Sequence, residues 1–119
     1  MPRTVLVVDD DPAFRDLATR LLRDRGHVVV GGAGSVAEAL TRADQLHPDA
    51  VLVDIALPDG NGFDLATRLL ALSWPIRVVI ISADSDPAFT PAAHRAGARG
   101  FLAKEELTSA ALLELMEGR

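Results

Sequence analysis

Three carboxylates, a hydroxyl and an ammonium stand at comparable places in this sequence, each just after a short apolar run. Asp9 and Asp10 follow Thr4 to Val8, Asp54 follows Ala50 to Val53, Ser82 follows Arg77 to Ile81, and Lys104 lies just past Arg99 to Leu102. Taken singly, each is an ordinary cap, turn or surface residue. Brought together, they would do chemistry. Three carboxylates in contact repel one another, and their pKa values rise unless a cation is bound. Oxygen ligands of this kind suit Mg²⁺, which is typically held by one or two carboxylates plus a phosphate and keeps several waters. Such a cation and the ammonium of Lys104 would balance the three negative charges. A phosphoryl group entering there would meet a metal, an ammonium and a hydroxyl donor, the positioning and charge stabilisation that phosphoryl transfer requires. An aspartate carboxylate is itself a competent nucleophile for phosphorus, through an acyl phosphate.

The elements between these residues decide whether they can meet. Thr4 to Val8 is a short β-branched run with no polar alternation, as expected of a strand buried on both faces. Asp11-Pro12 reads as an N-cap and first helical residue, and Phe14, Leu17, Ala18, Leu21 and Leu22 form one helical stripe that Gly26 ends. His27 to Gly31 is a second strand. Ser35 and Glu38 have capping-box spacing for a helix that carries Val36, Ala39, Leu40, Ala43 and Leu46 inward and breaks at Pro48. Ala50 to Val53 is the third strand, followed by the turn-rich Leu57-Pro58-Asp59-Gly60-Asn61-Gly62 and a helix from about Phe63 to Leu72. Arg77 to Ile81 is the fourth strand, a short helix stops at Gly97, Arg99 to Leu102 is the fifth strand, and Glu106 to Glu117 the last helix. Five βα units predict an α/β fold with a doubly wound, five-stranded parallel sheet. Ligands of such sheets bind at the carboxyl ends of the strands, where the strand order reverses. All five candidate residues belong to that edge.

Composition narrows the field. The 119 residues suit one domain, residues 1–119, and 49% hydrophobic with 24% charged is the balance of an ordinary globular chain. A net charge of −5 argues against nucleic-acid binding by this segment. No apolar run approaches the roughly 20 residues needed to cross a bilayer, and no signal peptide is visible, so the expected location is the cytoplasm. The absence of cysteine excludes thiolate metal sites and sulfur redox chemistry. Of the twelve basic residues Lys104 is the sole lysine, which marks a place where a compact ammonium suits better than a planar guanidinium.

Four segments, Val7-Val8-Asp9-Asp10-Asp11-Pro12, Val51-Leu52-Val53-Asp54-Ile55-Ala56-Leu57-Pro58-Asp59-Gly60-Asn61-Gly62, Ile80-Ile81-Ser82-Ala83 and Ala96-Gly97-Ala98-Arg99-Gly100-Phe101-Leu102-Ala103-Lys104, together resemble the receiver domains of bacterial two-component response regulators. The resemblance spans essentially the whole chain and implies a flavodoxin-like (βα)5 fold with strand order 2-1-3-4-5. It implies that Asp54 accepts a phosphoryl group from a histidine kinase. It also implies that Asp10, Asp54 and the backbone carbonyl of Ala56 bind Mg²⁺ with help from Asp9, that Lys104 and Ser82 hold the phosphoryl oxygens, and that Phe101 changes rotamer with Ser82. The domain would catalyse only its own phosphorylation and dephosphorylation. It would signal to an output domain or partner through its fourth helix, fifth strand and fifth helix, with a homodimer through the last helices as an option. A stand-alone domain and one excised from a longer regulator fit equally, and in the longer case a helix-turn-helix output domain is the expected attachment. The sequence departs from the family pattern in places. Glu105 stands where proline usually follows the lysine, which weakens the case for a cis bond. Pro91 predicts a late start for the fourth helix, with Thr90 as its cap. Ala56 has no side chain to hold an attacking water.

The same residues admit other functions. Gly32-Ala33-Gly34-Ser35-Val36-Ala37 fits the G-x-G-x-x-A of a dinucleotide site, with Asp54 twenty residues past Gly34. The bland alternative is a glycine-rich turn into a helix. A pseudo-receiver that binds partners without phosphorylation is a second possibility, and an aspartyl-phosphate hydrolase built on Asp9-Asp10-Asp11 a third. His27 and His47 read as incidental, His94 as a partly buried core residue and Trp74 as packing.

Overall fold

The five apolar runs form one parallel sheet in the computed structural model, which describes residues 3–107 and 110–117. Numbering the strands of this sheet alone, β1 is Thr4–Val8, β2 Val28–Ala33, β3 Ala50–Asp54, β4 Arg77–Ser82 and β5 Gly100–Ala103. Their order is β2-β1-β3-β4-β5, as expected, and every adjacent pair runs parallel. The helices are α1 Pro12–Asp24, α2 Val36–Leu46, α3 Gly62–Leu70, α4 Phe89–Arg95 and α5 Ala110–Glu117.

The strands lack polar alternation because both faces of the sheet are covered. Val5 and Val7 of β1, Leu52 of β3 and Ile81 of β4 pack with Ala18 and Leu22 of α1 and Leu112 and Met116 of α5. Leu6, Val8, Val51, Val53 and Ile80 point the other way, into α2, α3 and Ala93 of α4. Fully burying one such side chain contributes about 1.5–3 kcal/mol, so Val5 to Val8 of β1 and Ala50 to Val53 of β3, all fully buried, anchor the domain. Those same two strands end in the candidate site. Their connections follow local rules. Asp11 caps α1 through a 3.0 Å bond from Ala13 N–H, and Gly26, at φ 88°, closes its far end. α2 ends at His47, which takes the left-handed conformation at φ 46°, and Pro48 follows it. His47 stacks on Trp74 with ring centroids 3.8 Å apart, and the indole N–H donates to the Pro48 carbonyl at 3.0 Å.

Several expectations need correction. β2 runs two residues past Gly31, and α3 stops at Leu70 rather than Leu72. Leu17, assigned to the buried stripe of α1, is 43% exposed, because the helix turns Ala18 and Leu22 to the sheet and leaves Leu17 at the edge of the stripe. Thr90 does not cap α4. The helix starts at Phe89 after an Asp86 turn, in which Asp86 Oδ1 accepts from Ala88 N–H and the Asp86 carbonyl from Phe89 N–H. Pro91 therefore falls in the first turn, where a missing N–H removes no helical bond. His94 is exposed, and Ala93 takes the inward position. Lys104–Glu106 is a 3-10 turn, the α-helix proper is described from Ala110, and Thr108 and Ser109 lie outside the described residues. No described peptide bond is cis, Lys104–Glu105 included. Among the described residues no helix is long and apolar enough to cross a membrane.

Burial predicts a contrast between two leucines. Leu52→Ala in the centre of the sheet should lose roughly 2–5 kcal/mol in urea denaturation, whereas Leu17→Ala should stay within about 0.5 kcal/mol of the parent.

Candidate phosphoacceptor and cation site

Asp54 ends β3, the middle strand of the sheet, and is held there from both sides. Ile55 N–H donates to the Ile81 carbonyl at 3.0 Å, extending the β3–β4 ladder one residue past Asp54. Gly62 N–H then folds back onto the Ile55 carbonyl at 2.8 Å. That return brings the backbone so close that a Cβ at position 62 would sit 2.5 Å from the Asp54 carbonyl oxygen, so glycine is required by space. Between them, Ala56–Leu57 and Gly60–Asn61 pair as a two-stranded antiparallel ribbon. Asp54 itself is only 4% exposed.

Asp9, at the end of the adjacent β1, is fully buried. Its Oδ1 accepts from Asp11 N–H at 2.9 Å, and its carbonyl accepts from the Arg15 guanidinium. Asp10 is exposed at the mouth. One oxygen from each of Asp9, Asp10 and Asp54 lies within 4.8 Å of the others. Lys104 enters from the end of β5. Its Nζ is 2.6 Å from Asp9 Oδ2, 3.3 Å from Asp54 Oδ2 and 4.4 Å from the centre of the Phe14 ring. Ser82 closes β4, 7% exposed, and its hydroxyl oxygen accepts from Asp84 N–H at 3.1 Å. All the residues singled out from strand ends thus meet at one edge of the sheet.

The charges at this edge are under tension. Burial, then the neighbouring charge of Asp9, pushes the Asp54 carboxyl above its ordinary pKa, against the pull of Lys104 and the Ala56 N–H. Burial also opposes the charge on Lys104, but its 2.6 Å ion pair with Asp9 and the charge of Asp54 outweigh that and raise its pKa. The ammonium therefore stays charged at neutral pH, in direct contact with both buried acids. Asp9 Oδ2 is buried in its ion pair with Lys104, and among the described residues it accepts no hydrogen bond of good geometry. A buried carboxylate oxygen with unused acceptor capacity, beside two more carboxylates, fits a hard divalent cation with oxygen ligands.

The rival sites do not assemble. In the glycine-rich turn, a dinucleotide would rest its pyrophosphate on the N–H groups that open α2. Those donors are taken: Val36 N–H and Ala37 N–H donate to Asp59 Oδ1 and Oδ2 at 2.7 and 3.0 Å. The Arg15 side chain also lies across the turn, close enough that a Cβ at Gly32 would come within 3.1 Å of it. Asp11, needed for a D-x-D hydrolase, is spent capping α1. The expected capping box on α2 is also altered. Ser35 Oγ does accept from Glu38 N–H at 3.1 Å, but the Glu38 carboxylate accepts from Gly34 N–H at 2.6 Å rather than from Ser35.

Phe101, on β5, is half-buried and packs against Phe89 at 5.3 Å between centroids, and Phe89 lies 6.1 Å from Phe63. Sequence reasoning missed Phe89, and it also missed the contacts of Phe14 and Arg15 with the site. For Phe14 the available signal was its place three residues after the acidic run. Asp59 was read only as a turn residue, and no local signal indicates the helix it would reach.

Comparison with known proteins agrees with this geometry. The sequence matches the response regulator receiver domain family over residues 5–117. It is 40% identical over 106 residues to the DNA-binding transcriptional activator DevR/DosR of Mycobacterium tuberculosis, covering 88% of this chain and 48% of that protein. It is 39% identical over 101 residues to the response regulator GacA of Pseudomonas viridiflava, covering 84% of this chain and 47% of that protein. The chain thus spans about half the length of these regulators. The receiver domain structure of NarL from Mycobacterium tuberculosis superposes with a TM-score of 0.84 at 36% identity, over 99% of this chain and 98% of that one. With the sheet order, the acidic edge and this match over nearly its full length, the chain belongs to the response regulator receiver domains of two-component signalling.

Proposed function

We propose that residues 1–119 form one cytoplasmic receiver unit that accepts a phosphoryl group on Asp54 from a histidine kinase or a small phosphodonor. The observation that carries this is a nearly buried Asp54 carboxylate beside a second buried carboxylate and the chain's sole lysine. Asp9, Asp10, Asp54 and the Ala56 carbonyl would hold Mg²⁺, which when bound neutralises charge on the carboxylates and on the phosphoryl oxygens. An Asp54 oxygen attacks phosphorus. The bond from phosphorus to the donor nitrogen or oxygen breaks, its electron pair leaves with the donor, and an acyl phosphate remains.

The side chains around Asp54 have capacity for the added oxygens. Lys104 Nζ already reaches both buried carboxylates and would pair with a phosphoryl oxygen added at Asp54. The Ser82 oxygen is accepting from Asp84, which leaves its own proton to donate. Drawing Ser82 toward the phosphate would shift the end of β4 beside β5, where Phe101 packs on Phe89 of α4. Contacts made only in the phosphorylated state would then bias an existing equilibrium between two arrangements of the α4, β5 and α5 face, which an output domain or partner reads. The domain turns over no substrate beyond its own phosphate.

Incubation with acetyl phosphate and Mg²⁺ should add one phosphoryl mass in intact-protein mass spectrometry, and both Asp54→Asn and a chelator should abolish the gain. Mg²⁺-bound protein that never gains mass from any donor would sink the proposal. A second expectation follows from the raised pKa of Asp54. A carboxyl whose folded pKa lies above its unfolded value favours folding when protonated, and that contribution is lost as pH rises through the folded pKa. Without Mg²⁺, Asp54→Asn should therefore denature at a higher temperature than the parent at neutral pH. The gap should narrow as pH falls, or as Mg²⁺ is added to the parent.

A further inference from the structure

The ribbon that carries Ala56 is too small to hold its own shape. It has two bridged pairs, Ala56 with Asn61 and Leu57 with Gly60, joined through Pro58 and Asp59, and even a full isolated hairpin is marginally stable in water. Its base is fixed by the Gly62-to-Ile55 bond and by Asn61, whose side chain caps α3 through Asp64 N–H at 2.9 Å. Its tip is fixed by something remote in sequence. Asp59 reaches the opening turn of α2 and accepts from Val36 N–H at 2.7 Å and Ala37 N–H at 3.0 Å, 23 and 22 residues away. Gly60 sits against Val36 as well, where an added Cβ would lie 3.1 Å from its Cγ2. Ser35 Oγ takes the next donor, Glu38 N–H. The helix end thus needs Asp59 as much as the ribbon does, since a helix leaves its first N–H groups without internal partners.

We propose that Asp59 is a positioning residue for the cation site: by clasping the amino end of α2, it fixes the ribbon and so the Ala56 carbonyl relative to Asp54 and Asp9. The inference rests on the reading of Ala56 as a Mg²⁺ ligand. Both Asp59 carboxylate oxygens are engaged on α2, so its effect passes through backbone placement. Outer groups that orient a ligand commonly change metal affinity by 10–100-fold.

The test is Mg²⁺ affinity by isothermal titration calorimetry on the parent, Asp59→Ala, Asp59→Asn and Ser35→Ala, with thermal denaturation of each. Ser35→Ala weakens the same helix end without touching the ribbon, so it separates positioning from general loss of α2. Asp59→Ala should bind Mg²⁺ roughly tenfold more weakly, Asp59→Asn should fall between it and the parent, and Ser35→Ala should match the parent. Unchanged affinity in Asp59→Ala, or equal loss in Ser35→Ala, would overturn the inference while leaving the phosphoacceptor proposal intact. If Asp59→Ala does not fold, the comparison of Asp59→Asn with Ser35→Ala decides in the same way. A parent that binds no Mg²⁺ would instead remove the cation site itself, and the inference with it.

Discussion

Crowding of negative charge at one edge of the sheet is the constraint around which this domain is built. Asp9 and Asp54 end adjacent central strands and are buried, so neither can shed its charge cost into solvent, and Asp10 adds a third acid at the mouth. Opposing the two buried acids is the ammonium of Lys104. Burial without full compensation is expensive in a medium of low dielectric, and removing one member of such a set leaves the others worse off. The cluster persists because the hydrophobic faces beneath it are complete: every residue of β1 from Val5 to Val8 and of β3 from Ala50 to Val53 is fully buried. The core supplies the stability that the edge gives up. An edge so strained is also one that a divalent cation and a phosphoryl group relieve, which connects the instability of the site to its chemistry.

The two sides of the acidic edge are restrained by different means. On the β1 side the bonds are short-range in sequence: Asp9 Oδ1 takes Asp11 N–H, and Arg15, one turn into α1, takes the Asp9 carbonyl. On the β3 side the loop is longer and borrows its restraint from α2. The same bonds occupy the helix-end donors that a glycine-rich turn with the spacing of a dinucleotide fingerprint would offer a pyrophosphate. The positive end of a helix dipole attracts an anion, and here the chain supplies that anion from its own Asp59. A local motif acquires its meaning only from what the fold sets against it.

Much of the fold was legible in the sequence because its signals are local or periodic. Doubly buried strands announce themselves as unbroken apolar runs, and Asp11-Pro12, Gly26 and Pro48 punctuate helices wherever they occur. The strand ends named Asp9, Asp10, Asp54, Ser82 and Lys104 directly, since a parallel sheet gathers them on one side. What escaped was of another kind. The exposure of Leu17 and His94 depends on how far each helix rotates over the sheet, which periodicity does not fix. The start of α4 at Phe89 depends on a turn made by Asp86, for which proline at position 91 gave a misleading cue. The reach of Asp59 to α2 is a tertiary contact, invisible until the two segments are placed.

The sole tryptophan has a spectroscopic consequence. Trp74 lies before β4 and bonds to the carbonyl of Pro48, just before β3, so it sits at the amino ends of the strands, the opposite edge from Asp54. Its ring is stacked on His47, with an interplanar angle of 7°. Intrinsic fluorescence in this protein is therefore a gauge of whether the sheet is assembled, insulated from events among the acids by the full length of the strands. Occupancy of the acidic edge has to be read by a signal that does not originate in the indole.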